Sequence, residues 1–190
     1  MKKCELLDNL EQKIRCCDKC PFDPKTSARY CGGRGDDYRV MFIGESPSPM
    51  KQRGILSRHS GFKGEKKINA FNDIRKEYGL EKTYITDLVK CGVTKIKPTK
   101  LNLSNCTRYL QEELDIVKPR VIVLIGKGIL FRDGDYVCKG SFSELFRKYF
   151  IFNVPLLEVD HYSYIYRFKV NDKKAICDYR NDIKRILDYL

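Results

Sequence analysis

VIVLIG, residues 121–126, sets five apolar residues, four of them β-branched, before a glycine. No polar residue interrupts the run, so it has no face suited to water and reads as a strand buried on both sides. Strands of that kind belong to parallel sheets covered by helices. Just upstream, residues 103–117 place Leu103, Cys106, Leu110, Leu114 and Val117 on one helical stripe, with Asn102 expected as the cap and Pro119 just past the end. Further upstream lie two more apolar runs, RVMFI at 39–43 and TYITDLV at 83–89, and downstream a fourth, PLLEV at 155–159. Helical spacing recurs at 4–16, at 66–78 (Ile68, Phe71, Ile74 and Tyr78 inward, Gly79 as the stop), at 141–149, and at 172–190 with Ile176, Tyr179, Ile183, Leu187 and Leu190 inward. Strands alternating with helices give an α/β class. In such sheets ligands sit at the carboxyl ends of the strands. The loop GESPSP at 44–49, Asp87, Gly126 and Asp160-His161 all fall there.

The length of 190 residues predicts a single domain spanning 1–190. Lys and Arg number 37 against 25 Asp and Glu, a formal net charge of +12, which points to an anionic partner, nucleic acid above all. The opening MKKCELLDNLEQK has the form of no signal peptide, and no run reaches the length of a membrane helix. Nine cysteines without an export signal argue against a disulfide framework and for metal ligation or buried thiols in a reducing, cytoplasmic setting. The expected state is a monomer with no membrane contact.

Cys17 and Cys20 form a C-x2-C pair, while Cys91 and Cys106 stand 14 residues apart, the latter early in a helix. Four thiolates from two segments suit an iron–sulfur cluster or a structural zinc, and buried small hydrophobes remain the third alternative. Cys16 could replace Cys17 by a one-residue slip. Cys4, Cys31, Cys138 and Cys177 read as structural.

Taken in order, CDKC at 17–20, VMFIGESP at 40–47, GFKG at 61–64, YITDLVKC at 84–91, NCTRYL at 105–110, VIVLIG at 121–126 and DHYSYIYR at 160–167 form a series. With these motifs the sequence resembles the family 4, iron–sulfur uracil-DNA glycosylases, from about Cys17 to the C-terminal helix. The resemblance implies a three-layer α/β/α sandwich with a central four-stranded parallel sheet. It implies a structural [4Fe–4S] cluster on Cys17, Cys20, Cys91 and Cys106, which takes no part in bond cleavage. It also implies a hydrolase of base excision repair, cutting the N-glycosidic bond of a uracil flipped out of single- or double-stranded DNA. Gly44, Glu45 and Ser46 would line the base and sugar, Phe62 would stack on the uracil, and His161 would donate to its O2. Glu45 is the nearest matched carboxylate to orient the attacking water.

The sequence departs from the family at several of these positions. Asp87 stands where the family reads the base edge with Asn. An ionised Asp accepts from uracil N3–H but sets a lone pair against O4, whereas a protonated Asp satisfies both, and burial favours protonation. A related damaged or modified pyrimidine is thus a candidate substrate beside uracil. Ser46 replaces a usual Ala or Gly. Lys51, Gln52 and Arg53 stand where acidic residues are frequent. The asparagines expected after VKC are absent. Tyr162 replaces a proline, and with Tyr164, Tyr166 and Arg167 it could wedge into the duplex. These departures motivate an alternative of another class, a catalytically weak or inactive iron–sulfur module of the same fold that only binds nucleic acid.

Overall fold

A computed structural model of the chain describes residues 2–20, 27–29, 33–47, 66–93, 98–133, 136–162, 165 and 172–190. Four strands build the central sheet: β2 (Asp37–Gly44), β3 (Thr83–Asp87), β5 (Val121–Ile125) and β8 (Leu156–Val159). Their order is β3-β2-β5-β8 and every pairing is parallel. The apolar runs dictate this arrangement. In β2, Val40 and Phe42 face one layer while Met41 and Ile43 face the other, and all four are fully buried. β5 splits in the same way, Ile122 and Leu124 against Val121, Val123 and Ile125.

One layer holds α1 (Lys3–Arg15), α3 (Lys100–Val117) and α4 (Phe142–Tyr149), packing Leu7, Leu103, Leu110, Leu114, Phe142 and Phe146 on the sheet. The other holds α2 (Lys66–Glu77), α5 (Lys173–Lys184) and a 3-10 turn, Arg185–Tyr189, which contribute Phe71, Ile74, Tyr179, Ile183 and Ile186. The three-layer α/β/α sandwich around a four-stranded parallel sheet is therefore present as expected. Among the described residues no helix is long and apolar enough to cross a membrane.

Three local differences have physical reasons. The cap of α3 is Thr99, not Asn102: Thr99 Oγ1 accepts from Asn102 N–H at 3.1 Å while Asn102 Oδ1 accepts from Thr99 N–H at 2.8 Å. This reciprocal capping box starts the helix earlier. Its end is as expected, with Lys118 in the left-handed region ahead of Pro119. At the C-terminus the tail tightens into the 3-10 turn, whose three-residue period brings Ile186 inward and leaves Leu187 39% exposed. Outside the sheet, β1 (Ser27–Arg29) pairs antiparallel with β4 (Cys91–Val93), and β6 (Gly128–Asp133) with β7 (Tyr136–Ser141).

Candidate active site

The sheet's topology selects the crevice. From β2 the chain steps outward to β3, then returns across β2 to β5 and on to β8. The order therefore reverses between β2 and β5, the switch point where an open parallel sheet leaves a cleft at its carboxyl edge. Gly44 and Glu45 leave β2 at that point. Asp87 ends β3 beside Gly44 in register, and Gly126 and Asp160-His161 end β5 and β8. With neighbouring strands about 4.8 Å apart, the outer two strand ends stand about 14 Å apart, room for a planar ring between their side chains.

The β2 and β3 ends are laced together. Leu88 N–H donates to Gly44 O at 2.8 Å and Val89 N–H to Glu45 O at 3.0 Å. The Asp87 carboxylate lies so close over Gly44 that any Cβ there would collide with Asp87 Oδ1. A side chain at this position would have to displace the Asp87 carboxyl. Glu45 and Ser46 are half-buried. Burial pushes the Asp87 carboxyl up to about 7; Lys90 and Arg34 pull it back, and Glu113 and Glu45 add to the rise. Near neutral pH it therefore divides between the acid and the carboxylate.

Beneath Asp87 lies a pair that the motifs alone do not reveal. Lys90 Nζ meets Glu113 Oε2 at 2.7 Å, and both side chains are almost fully buried. The same ammonium donates to Thr86 Oγ1 and to the Asp87 carbonyl, each at 2.7 Å. Glu113 also accepts from Thr86 Oγ1 at 2.9 Å and from Gly33 N–H at 3.0 Å. A buried ion pair is tolerable only with its remaining valences satisfied, and here they are. In sequence both residues look like ordinary surface charge; the one local hint is that Lys90 adjoins Cys91 in an otherwise apolar segment.

His161 sits on the opposite side. Gly126, at φ 113°, lets β5 turn away so closely that a Cβ there would lie 3.8 Å from His161 Cβ. Lys127 Nζ and Asp160 Oδ2 pair at 3.3 Å beside it. The imidazole stacks on Tyr162 at 4.4 Å between ring centres. Tyr162 turns inward against the α2 and α5 layer, so its ring is no free wedge as the sequence alone suggested. Phe62, Tyr164, Tyr166, Arg167 and residues 51–53 lie outside the described residues.

Of the four candidate metal ligands, Cys91 and Cys20 lie near enough to Cys106 to act on its thiol. Burial raises the Cys106 thiol to about 11, Lys90 lowers it through its N–H and its charge, and Cys91 and Cys20 raise it further by their proximity. Lys90 N–H points at Cys106 Sγ at 3.4 Å, and Asn105 Nδ2 at Cys20 Sγ at 3.3 Å. Cys17 packs against Leu10, Ile14 and Tyr109. Burial opposes its ionisation, but Tyr109, the Lys19 N–H and Arg108 outweigh that and hold its thiol below the ordinary value. N–H donors aimed at sulfur suit thiolate ligands, so the donor chemistry fits a thiolate-bound group. Among the described residues no three His, Cys, Asp or Glu side chains converge closely enough to hold a metal ion. Cys16 caps α1 and is exposed, as is Cys177, which therefore has no core role.

Comparison with known proteins agrees with this geometry. The family model of the uracil DNA glycosylase superfamily matches residues 33–184. A type-4 uracil-DNA glycosylase of Archaeoglobus fulgidus is 31% identical over 131 residues, covering 65% of this chain and 61% of the relative. One from Thermotoga maritima is 27% identical over 138 residues, covering 70% and 69%. A type-5 uracil-DNA glycosylase of Pyrobaculum aerophilum is 46% identical over a stretch of 44 residues, 23% of this chain and 20% of the relative. The chain thus spans about three-fifths of the length of the Archaeoglobus protein. With a matching family model over most of its length and a parallel sheet that opens where the family's motifs fall, the chain belongs to the uracil DNA glycosylase superfamily.

Proposed function

We propose that this protein is a DNA glycosylase that hydrolyses the N-glycosidic bond of a flipped uracil, or of a related damaged pyrimidine, in DNA. The observation that carries the reading is the meeting of Gly44, Asp87, Gly126 and His161 strand ends around the β2/β5 switch point. The protonated Asp87 carboxyl accepts from uracil N3–H and donates to O4. His161 donates to O2. Gly44 keeps side-chain bulk out of the base's plane, Glu45 orients the water, and Ser46 and Phe62 complete the pocket.

As the bond between C1′ and N1 breaks, its electron pair passes to the base and builds negative charge on O2. A donor already aimed there stabilises that charge without reorganising. The water oxygen then bonds to C1′, and its proton leaves with the base. Basic side chains hold the phosphates while the base is extruded, a step that costs stacking energy.

Cys17, Cys20, Cys91 and Cys106 would hold a [4Fe–4S] cluster. When bound, its part is structural: it ties the segment after α1 to the segment after β3 and to the start of α3. Cys91 lies four residues from Asp87, so the cluster would brace the base-reading strand end.

The deciding experiment uses anaerobically purified protein. Its iron and sulfide are expected in similar amounts; zinc alone would replace the cluster assignment with a zinc staple. Oligonucleotides containing uracil, cytosine, modified cytosines, thymine or hypoxanthine are then treated with alkali to reveal abasic sites. Release of uracil is expected, with His161→Ala slowing it by a hundredfold or so, about the cost of losing one such donor, while DNA binding persists. No release from any base, with DNA binding intact, would make the protein the binding-only module.

A further inference from the structure

The residue after the catalytic-candidate histidine is a tyrosine where the resembling family has a proline, and the structure gives that tyrosine a specific place. The His161 and Tyr162 rings lie 4.4 Å apart at an interplanar angle of 30°. Tyr162 also stacks on Phe71 of α2 at 5.2 Å and 17°. Phe71 is 1% exposed and meets the fully buried Phe42 of β2 edge-on at 5.7 Å and 87°. Four rings thus run from the core of the sheet to the imidazole at its carboxyl edge. The backbone supports the same placement: Ile165 N–H approaches His161 O at 3.4 Å. Tyr162 and Ile165, three residues apart, face the same way, and Ile165 is 2% exposed in the layer that receives Tyr162.

A histidine that stabilises developing charge must hold its direction before the charge appears. A flat aromatic surface that is anchored in the core and stacked on the imidazole restricts the ring's tilt.

We propose that Tyr162 is a positioning residue: stacked on both His161 and the buried Phe71, it is the platform that aims the His161 imidazole at the base. The proposal rests on the reading of His161 as the donor to the base. It requires the flat ring and not the hydroxyl. It also gives Tyr162 a role inside the protein, and not between base pairs.

The test compares Tyr162→Leu and Tyr162→Met, which keep apolar bulk without the platform, with Tyr162→Phe, which keeps it. Single-turnover release of uracil is measured on pre-bound oligonucleotide, and affinity on a 2′-fluorinated uracil oligonucleotide that resists cleavage. The Leu and Met variants are expected to lose roughly ten- to hundredfold in the bound-state rate, the scale of a small misplacement of a reacting group, at unchanged affinity; Phe is expected to rescue the rate. The imidazole proton signals report the stack directly. The chain has only two histidines, so His161 is assigned by comparison with His161→Gln. Its ring protons are expected to move downfield when the Tyr162 ring is removed and to stay with Phe. Both non-aromatic variants retaining the wild-type rate would overturn the proposal. So would weakened DNA binding in the Leu and Met variants, restored by Phe, with the bound-state rate intact in all three, which would assign the ring to the DNA and not to His161. If the wild-type protein releases no base, the glycosylase reading fails by itself. The imidazole signal then still decides the platform, and an unshifted His161 signal in the Leu and Met variants would overturn it.

Discussion

Asp87 is the residue on which the proposed reading of the base turns. Its carboxyl, raised by burial to about 7, is protonated below neutrality and charged above it. Only the protonated form offers both a donor for O4 and an acceptor for N3–H, so uracil release is expected to fall as pH rises through about 7. Asp87→Asn carries the donor permanently and is expected to flatten that alkaline limb; a pH–rate series on both proteins checks it. An alkaline limb equally steep in the Asn variant would assign the titration to another group. Stability gives a second readout. An acid whose folded pKa lies above its unfolded value, near 4, binds more protons when folded. Its contribution is therefore favourable at low pH and is lost as pH rises from about 4 to about 7, by at most about 1.4 kcal/mol for each pH unit crossed. Thermal unfolding should show the Asn variant gaining on the wild type over that window and holding its advantage above it. The strand-end placement of Asp87 and His161 is legible from the sequence because each closes or follows a short apolar run. The partners that tune Asp87 are not: Lys90, Arg34 and Glu113 come from three separate segments, and a charged letter does not say whether it lies in water or in a core.

Among the elements, α3 and the β3 end depend on each other through Lys90 and Glu113. Replacing one member of a buried pair leaves the other's charge without compensation and typically costs about 3–5 kcal/mol. Lys90→Met should therefore lower the melting temperature by about 6–20 °C, taking about 2–4 °C per kcal/mol at this chain length. The double variant Lys90→Met/Glu113→Leu should lose less than the sum of the single variants, because no charge is then stranded. Strict additivity, measured by denaturant or heat, would mean the pair is not coupled. The four sheet strands and the α3 stripe are legible from periodicity because burial on both faces leaves unbroken apolar runs, and burial on one side leaves a helical repeat. The β6–β7 hairpin escapes that logic: it lies outside the sheet, and its cue is the Gly134-Asp135 dipeptide between two modest runs, a turn signal and not a hydrophobic one. Arg75 escapes too. It reads as a surface charge on α2, yet it is 3% exposed, donates to the carbonyls of Leu80 and Glu81 at 2.8 and 2.9 Å, and sits over the Phe42 and Phe71 rings. Its chemistry is that of a staple between α2 and the start of β3.

At the scale of the whole molecule, a charge of +12 must either meet an anion or merely keep the chain dispersed. The two cases differ in how binding responds to salt. Each phosphate neutralised releases condensed counterions, so the logarithm of the association constant falls with the logarithm of salt by about 0.9 per contact on duplex and about 0.7 on single strand. A footprint of about six phosphates around a flipped base gives slopes of about −5 and −4. The chemical step differs, because once the base is in the crevice its donors are short-range and largely shielded from mobile ions. Titrating salt on an uncleavable uracil oligonucleotide, and separately measuring single-turnover release on saturated complex, should therefore give steep affinity loss and a nearly flat rate. A slope near zero would assign the basic excess to solubility. A rate that falls as steeply as the affinity would mean that the phosphates are gripped only as the base leaves the stack, which ties backbone binding to extrusion.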